Sequence, residues 1–405
     1  MNRSAQGEQR GPGPGSPGEV FAVFLKLGCT AFGGPIAHLG YFRKELVERR
    51  RWVSDSQFSQ LLAICQFLPG PASSQLGFGL GLLRAGWAGA MAAFLAFTLP
   101  SALLLLAFAS ALPLLSGTSG QALVHGLKIV AFAVVADAVL GMARKLCPDL
   151  QRATIAVVTA AALLLAGSAW AQLPVVAAGA LAGLALCRDD TTEAPSPVRP
   201  GYGNRLGAAL LLLFLGLLLG LPWLAVHGAG LMALADAFYR SGALVFGGGH
   251  VVLPLLEDAV VAPGWIGRET FLAGYGAAQA IPGPMFAFSA FLGAVVPTAH
   301  PPWAGAATAL LFMFLPGFLL VAGLLPFWHR VSQSAWANKA IAGINAAVVG
   351  LLGAALYDPI FTSAVQGATD LAIGIVAFAM LQVWRWPAWA VVVWCATASL
   401  LGALV

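Results

Sequence analysis

The feature that most constrains this chain is an internal duplication, because one long pattern of residues occurs twice. The first copy reads FLKLGCTAFGGPIAHLGYFRKELVERRRW and is followed by QFSQLLAICQFLPGP. The second copy reads FYRSGALVFGGGHVVLPLLEDAVVAPGW and is followed by TFLAGYGAAQAIPGP. The register continues to Leu99-Pro100 in the first copy and Leu315-Pro316 in the second. Self-similarity over this length predicts two half-molecules and not a short-period solenoid.

Composition indicates the solvent for which the chain is built. Hydrophobic residues make up 59% of it and charged residues 9%, and the mean hydropathy is +0.85. A soluble globular domain carries roughly 25% charge, so this chain cannot cover its surface for water. Residues 206–225 contain no charge and are about long enough to span a bilayer as a helix. We therefore expect an all-α polytopic membrane protein with the lipid bilayer as a partner.

The other compositional signals are weaker. The net charge of +5 does not indicate nucleic-acid binding, because the basic residues lie in loops between apolar segments. The five cysteines are far apart, without CxxC or zinc spacing, and we expect small buried apolar residues. Residues 1–18 are rich in Gly and Pro and read as a disordered tail without a signal peptide.

Two apolar segments in the first half are interrupted by glycine and proline. Residues 20–36 contain Phe-Gly-Gly-Pro, and residues 57–83 contain Pro-Gly-Pro. Proline removes a backbone donor and clashes with the preceding turn, so neither segment is expected to be one straight helix. Each is predicted to be a re-entrant hairpin of two half-helices. Pro35 and Pro71 then lie at or near the first position of the outgoing half-helix, where proline is tolerated.

Charge placement supports this prediction and sets the topology. If the broken segments are re-entrant and residues 87–115, 122–143, 153–168 and 173–186 each cross, the basic residues of the first half collect on one side. Residues 206–225 then cross once more, so the second half begins on the opposite side. Its first loop carries Glu257, Asp258 and Glu269 with only Arg268. This pattern obeys the positive-inside rule.

The predicted fold therefore has two inverted-topology repeats, whose broken or re-entrant helices meet at the membrane midplane. That is the architecture of secondary transporters. The expected divisions are a tail at 1–18, a first repeat at 19–187, a linker with the inverting helix at 188–228, and a second repeat at 229–405.

The breaks are the candidate site. They fall at residues 32–35, 69–71, 246–249 and 282–284. Glycine lets the backbone approach a ligand, and the outgoing half-helices present free N–H groups and positive dipole ends. Each end favours an anion by about 0.3–1 kcal/mol. The alternative is that all the breaks are helix kinks packed against neighbouring helices.

Side chains near the breaks also suit an anion. Lys26 and Arg240 occupy the same repeat position, and together they suit a small dianion. The alternatives are snorkelling for Lys26 and an i, i+4 ion pair between Asp236 and Arg240. The glutamine candidates could donate to an oxyanion or could equally brace the exposed backbone; they are Gln66, Gln75 and Gln279.

Proton relay has its own candidates. His38 and His250 follow the glycine breaks, and histidine titrates near neutral pH. A satisfied structural histidine is the alternative. Asp137 and Asp236 are acidic residues within apolar segments, and a pairing of Asp137 with Lys128 or with another interfacial group is the simpler account.

Enzyme signatures are missing from the sequence. It has no P-loop, HExxH or GxSxG motif and no paired carboxylates in an apolar context, so we expect neither catalysis nor a cofactor or metal. Two other classes stay open: an enzyme acting on lipid phosphate through Ser73, Ser74 or His38, and an anion channel.

The two copies, with QFLPGP in the first and AAQAIPGP in the second, resemble the motifs of the chromate ion transporter family, and the chain is similar to its long, two-domain members. The resemblance implies chromate efflux from the cytoplasm across a bacterial inner membrane, driven by the proton motive force and conferring chromate resistance. Chromate and sulfate are near-isosteric dianions, so sulfate stays an alternative substrate, and a homodimer is compatible with the sequence. The candidate substrate-binding residues are Lys26, Phe32, Gly33, Gly34, Pro35, Gln66, Pro69, Gly70, Pro71, Gln75, Arg240, Phe246, Gly247, Gly248, Gly249, His250, Gln279, Pro282, Gly283 and Pro284.

Overall fold

A computed structural model of the chain describes residues 15–31, 34–115, 117–166, 171–187, 201–227, 230–246, 252–328 and 334–402. Those residues form helices joined by short connections, and they contain no β-strand. The prediction of an all-α polytopic membrane protein is confirmed. The expected tail lies mostly outside the described residues, and the first helix already begins at Pro17.

The described residues of the first half form seven α-helices, and their order follows the predicted segments. Helix α2 continues into a π-helical stretch, Arg43–Arg49. Helix α4 is two segments joined at a kink, where Gly86 has φ +64°. The helices are α1 Pro17–Thr30, α2 Gly34–Phe42, α3 Asp55–Phe67, α4 Ala72–Ala111, α5 Thr118–Leu146, α6 Leu150–Ala166 and α7 Gln172–Leu186.

The second half follows one additional helix, α8 Asn204–His227, and has two helices, α12 and α13, where the first half has the kinked helix α4. Helix α14 continues into a π-helical stretch, Leu356–Phe361. The remaining helices are α9 Leu231–Leu244, α10 Val252–Val260, α11 Arg268–Ala280, α12 Phe288–Val295, α13 Pro302–Leu324, α14 Ala335–Ala355, α15 Ala368–Gln382 and α16 Ala388–Gly402.

Several helices are suited to a bilayer. Helix α8 is the clearest case, because only 11% of its most apolar window is buried within the protein and most of its leucines face outward. Such a surface suits lipid around it, as expected for the predicted additional crossing. In the described residues the stretches long and apolar enough to cross a membrane are Ala72–Leu114, Thr118–Leu146, Asn204–Val226, Pro302–Phe327 and Ala335–Ala364.

Local sequence explains where the half-helices begin. Ser16 accepts a hydrogen bond from the backbone N–H of Glu19 at 3.1 Å, and a proline opens α1. Ser54 and Gln57 form a reciprocal capping box at the start of α3. Pro71 is the N-cap of α4, as expected for a proline at the start of the outgoing half-helix.

Each half has one helix that packs among helices of the other half, and we call this arrangement the exchange between the halves. Helix α5 packs on α15 and α16 of the second half, and α14 packs on α6 and α7 of the first. Each of these crossings has a glycine: a Cβ on Gly126 of α5 would lie 2.7 Å from the Cys395 carbonyl oxygen, and one on Gly343 of α14 would lie 2.6 Å from Gly183 Cα. Glycine permits such close backbone approach in membrane helices.

Aromatic rings fill the contact between α4 and α13, where the halves meet. Phe78 stacks on Phe318 with ring centroids 4.4 Å apart, and Phe94 lies 5.2 Å from Phe314. Of the cysteines, Cys65, Cys187 and Cys395 are buried as expected, but Cys29 is exposed on α1.

Candidate functional site

The broken helices are present in both halves. Helix α1 ends at Thr30 and α2 begins at Gly34, while the non-helical Leu68–Pro71 separates α3 from α4. In the second half α9 ends at Leu244 and α11 ends at Ala280. The predicted interruptions therefore exist at the positions of the glycine and proline motifs.

Two backbone hydrogen bonds join these breaks across the halves. The N–H of Gly70 donates to the carbonyl of Val245 at 2.7 Å, and the N–H of Gly283 donates to the carbonyl of Ala31 at 3.0 Å. Ala31 and Val245 occupy the same repeat position, as do the two glycines. Each Pro-Gly-Pro thus meets the end of the first half-helix of the other half.

Both positions require glycine. Gly70 has φ +121° and Gly283 has φ +104°, conformations that other residues rarely adopt. Space is also short: a Cβ on Gly70 would lie 3.1 Å from Gly317 Cα, and a Cβ on Gly283 would lie 2.9 Å from Ser101 Oγ. Helix α13 therefore backs the first Pro-Gly-Pro, and α4 backs the second.

Gln75 braces the first break. It is fully buried, and its Nε2 donates to the carbonyls of Pro69 at 2.8 Å and Gly317 at 3.2 Å. Both amide hydrogens are used on backbone, so in this arrangement Gln75 has no donor left for an anion. Gln75 therefore stabilises the exposed backbone of the break, which is one of the two roles expected from the sequence.

The two aligned glutamines differ. Gln66 is exposed on α3. Gln279 is half-buried beside the phenol of Tyr275, and its buried Nε2 meets no acceptor in good hydrogen-bond geometry among the described residues. A buried donor without a partner costs about 1–3 kcal/mol. Gln279 is the more buried of the two aligned glutamines, and its side chain lies against a buried phenol.

The two aligned cations also differ. Lys26 lies on the exposed face of α1, and its ammonium has no ion pair within the described residues. The Arg240 guanidinium lies 2.5 Å from Asp236 Oδ2, with the arginine side chain 52% exposed and the aspartate 6% exposed. The i, i+4 pair expected as an alternative is thus present. The second carboxylate oxygen of Asp236 is buried without a partner in the described chain.

His38 is a buried histidine attached to the break by hydrogen bonding. Its Nε2 lies 3.1 Å from the Ala31 carbonyl oxygen, which also accepts from Gly283, and its Nδ1 lies 3.4 Å from Ser73 Oγ. Its ring packs edge-on against Phe97 at 5.3 Å. With Nε2 donating, the neutral ring is satisfied when Ser73 donates to Nδ1.

The other charged residues inside the bundle pair across the halves. Asp137 Oδ1 accepts from Gln382 Nε2 at 2.5 Å, and the Lys128 ammonium lies 3.4 Å from Glu269 Oε1. An interfacial pairing is therefore what the structure shows, and Lys128 and Asp137 do not pair with each other. Sequence reasoning missed both partners because neither lies near in sequence.

Some candidates lie outside the described residues: Phe32, Gly33, Gly247, Gly248, Gly249 and His250. Gly34 and Pro35 are the first two residues of α2, and Phe246 is half-buried after α9. Pro282 and Pro284 flank Gly283 in the non-helical stretch before α12, as Pro69 and Pro71 flank Gly70. No group of three metal-binding side chains occurs within the described part of the chain.

Broken helices joined between two similar halves, within a bundle of apolar helices, are features of a multi-pass membrane transporter. The profile of the chromate transporter family matches residues 18–184 and again residues 232–400. The chain belongs to this family.

Relatives match along most of their length. A probable chromate transport protein of Synechococcus elongatus is 31% identical over 84% of this chain and 83% of its own. The chromate transport protein of Pseudomonas aeruginosa is 31% identical over 92% and 89%, and that of Cupriavidus metallidurans is 29% identical over 90% and 87%. No solved structure matches the chain.

Proposed function

We propose that this protein exports chromate from the cytoplasm across the bacterial inner membrane, driven by the proton motive force, and thereby confers chromate resistance. Family membership and the names of its relatives support chromate as the substrate. The residues themselves support a tetrahedral oxyanion, so sulfate is the second candidate.

The observation that carries the proposal is the reciprocal pair of hydrogen bonds between the breaks. Gly70 with Val245 and Gly283 with Ala31 join the non-helical backbone of both halves. Non-helical backbone at membrane depth is tolerated where protein or a wet cavity satisfies it. The remaining amides at the breaks and Nε2 of Gln279 are donors of the kind an anion requires.

The proposed site therefore centres on the Pro-Gly-Pro segments and the adjoining glycine motifs. Gln279 supplies a side-chain donor, and Lys26 supplies a positive charge without an ion pair in the described residues. Arg240 joins the site only when it leaves Asp236, because the two are now paired. His38 holds the Ala31 carbonyl and acts as a positioning residue.

The proposal includes the inverted arrangement of the halves, residues 19–187 and 229–405. Matching helix orders and the reciprocal exchange of α5 and α14 support a repeat. Rocking of one half against the other would strain the Gly70–Val245 and Gly283–Ala31 bonds, and this supports our proposal that the moving contact lies beside the substrate.

Labelled chromate uptake into everted membrane vesicles tests the proposed function. Accumulation that requires an energised membrane and is inhibited by excess sulfate is the expected result. Vesicles without the protein are the control. Sulfate movement without chromate accumulation would replace the substrate. A chromate flux that does not saturate and never exceeds the accumulation set by the membrane potential would indicate a channel.

A further inference from the structure

A cavity of about 760 Å³ lies at one end of the bundle, where α5, α11, α15 and α16 meet. Its volume falls in the range of small-molecule sites, roughly 300–1,000 Å³. In the predicted topology all of these helix ends face the outside. The cavity lies at the first residues of α11, whereas the break follows the last residue of that helix, so it is separate from the site described above.

Two ion pairs line the cavity. One of them, called the uneven pair below, joins a buried side chain to an exposed one. Lys128 Nζ lies 3.4 Å from Glu269 Oε1, but the lysine side chain is 6% exposed and the glutamate side chain is 79% exposed. Glu269 can leave into water at little cost, because exposed pairs contribute little. Lys128 cannot be left buried without an anionic partner, because an uncompensated buried charge is strongly destabilising.

A histidine of α5 faces the same cavity. His125 lies one helical turn from Lys128 on α5, and its Nε2 is 2.9 Å from Asp370 Oδ1. Residues three apart share a helix face, so both nitrogen-bearing side chains of α5 point to this space. Both carboxylate partners come from the second half.

Three helices begin at the cavity, and each has a glycine N-cap without a side-chain hydrogen bond. These caps are Gly117 of α5, Gly267 of α11 and Gly367 of α15. Residues of each first turn line the space. Uncapped N-termini leave backbone N–H donors and positive dipole ends available, which favours an anion.

One hydroxyl in the wall is also without a partner. Ser399 of α16 is 8% exposed and lines the cavity, and its Oγ makes no hydrogen bond within the described residues. A serine hydroxyl can donate to an oxyanion. This buried group is independent of the helix ends and of the ion pairs.

We propose that this cavity is a second anion site, in which a tetrahedral dianion such as sulfate or chromate displaces the Glu269 carboxylate from Lys128. The anion accepts hydrogen bonds from Lys128, from the uncapped amides of the helix ends and from the Ser399 hydroxyl. A role as the place from which an exported ion leaves rests on the proposed function, whereas binding of a dianion does not.

A local reporter tests the site. Thr270 lines the cavity in the first turn of α11, so Thr270→Cys can be modified there by a charged thiol reagent, in a Cys29→Ser background that removes an exposed thiol. Sulfate is added to the full chain in lipid nanodiscs, and the concentration that halves the modification rate is measured. This protection requires no transport.

Substitution of Lys128 and substitution of Glu269 should shift the protection by sulfate in opposite directions. We expect Lys128→Gln to raise the sulfate concentration that halves the modification rate about tenfold, because the anion loses its cation. We expect Glu269→Gln to lower that concentration about threefold, because the competing carboxylate is gone. A merely structural pair predicts no change, or a change of the same sign, in both. Control variants are Lys339→Gln on α14 and Glu48→Gln after α2, which should leave protection unchanged.

The outcomes separate the two proposals. Opposite shifts without chromate transport would keep the anion site and overturn the proposed function. Normal transport with no sulfate protection, or with protection unmoved by Glu269→Gln, would overturn the anion site. If Lys128→Gln fails to fold, Glu269→Gln decides by itself.

Discussion

The amide nitrogen of Gly70 lies 2.7 Å from the carbonyl oxygen of Val245, although the two residues belong to different halves of the molecule. The aligned pair, Gly283 and Ala31, repeats this bond at 3.0 Å. A relation that recurs at equivalent positions follows from the duplicated design of the fold. It also makes the two glycines the most direct test of the site.

Gly283→Ala should abolish chromate accumulation while the protein still inserts. An added Cβ meets Ser101 Oγ at 2.9 Å, and the φ of +104° adds strain of about 1–3 kcal/mol at the break. Gly264→Ala is the matched control, since Gly264 also has positive φ but no atom within 4 Å of its Cβ position. Uptake is measured per amount of protein in the membrane. Equal uptake by both variants would contradict a role for this break.

Gln279→Leu should raise the chromate concentration for half-maximal uptake about tenfold, because a hydrogen bond to a charged ligand is lost. Removal of an unsatisfied buried amide should leave thermal stability unchanged or increased. Gln151→Leu, on the exposed side of α6, is the control. Reduced uptake together with reduced stability would indicate a structural residue.

Accumulation should follow the membrane potential more than the pH gradient. A dianion that leaves a negative interior gains about 2.3 kcal/mol per charge for each 100 mV. Collapsing the potential with valinomycin and potassium should therefore stop uptake into everted vesicles, and collapsing the pH gradient with nigericin should reduce it less. The reverse order would instead favour an obligatory proton partner, for which Asp137, Asp236 and His38 are the candidates.

Thermal stability should fall as pH rises from about 4.5 to about 7. Burial raises the pKa of Glu257, near the C-terminal end of α10, from 4.5 to about 7 despite the Arg268 guanidinium 3.0 Å away. The folded state then holds a proton that the unfolded state releases above about 4.5, so this contribution is present at low pH and lost as pH rises through 7. Glu257→Gln should flatten the melting temperature between about pH 5 and about pH 7, an interval between the two pKa values.

Glu45 supplies the control for this titration. Its partial burial is outweighed by hydrogen bonds from Arg50 and Arg49, which lower its pKa. The contribution of Glu45 is therefore present above its ordinary pKa and is lost only in acid, so Glu45→Gln should keep the slope between about pH 5 and about pH 7. A slope that survives Glu257→Gln would assign it to another group.

Reporter fusions after Arg84 and after Glu257 should report opposite sides of the membrane. Arg84 pairs with Glu19 at 3.1 Å near the start of α1, and Glu257 pairs with Arg268 at the start of α11. The positive-inside rule assigns the first cluster to the cytoplasm. Fusions that report the same side would contradict the inverted arrangement.

The breaks were predictable because glycine and proline disfavour a continuous helix at their own positions, whatever the rest of the fold. The sequence pattern therefore located the ends of α1, α3 and α11 near the motifs. The bonding partners of Gly70 and Gly283 were not predictable, since convergence of the breaks does not say which carbonyl meets which amide. The bracing of the first break by Gln75 through Gly317 depends on the other half in the same way.

Ion pairs were likewise predictable within one helix and unpredictable between the halves. The Asp236–Arg240 pair was foreseen as an alternative because i, i+4 spacing on a helix is a local relation. The partners of Lys128 and Asp137 come from α11 and α15, whose positions around α5 depend on the exchange between halves. Neither hydropathy nor charge count carries that information.

The packing of α5 on the last helices of the chain also affects the order of assembly during biosynthesis. Helix α5 enters the membrane long before α15 and α16, against which Gly126 leaves room for a close crossing at Cys395. Until those last helices arrive, the nascent chain holds an unfilled groove in the bilayer and cannot finish assembling. A chain that terminates before residue 388 would keep every broken helix and still present that open flank to quality-control proteases.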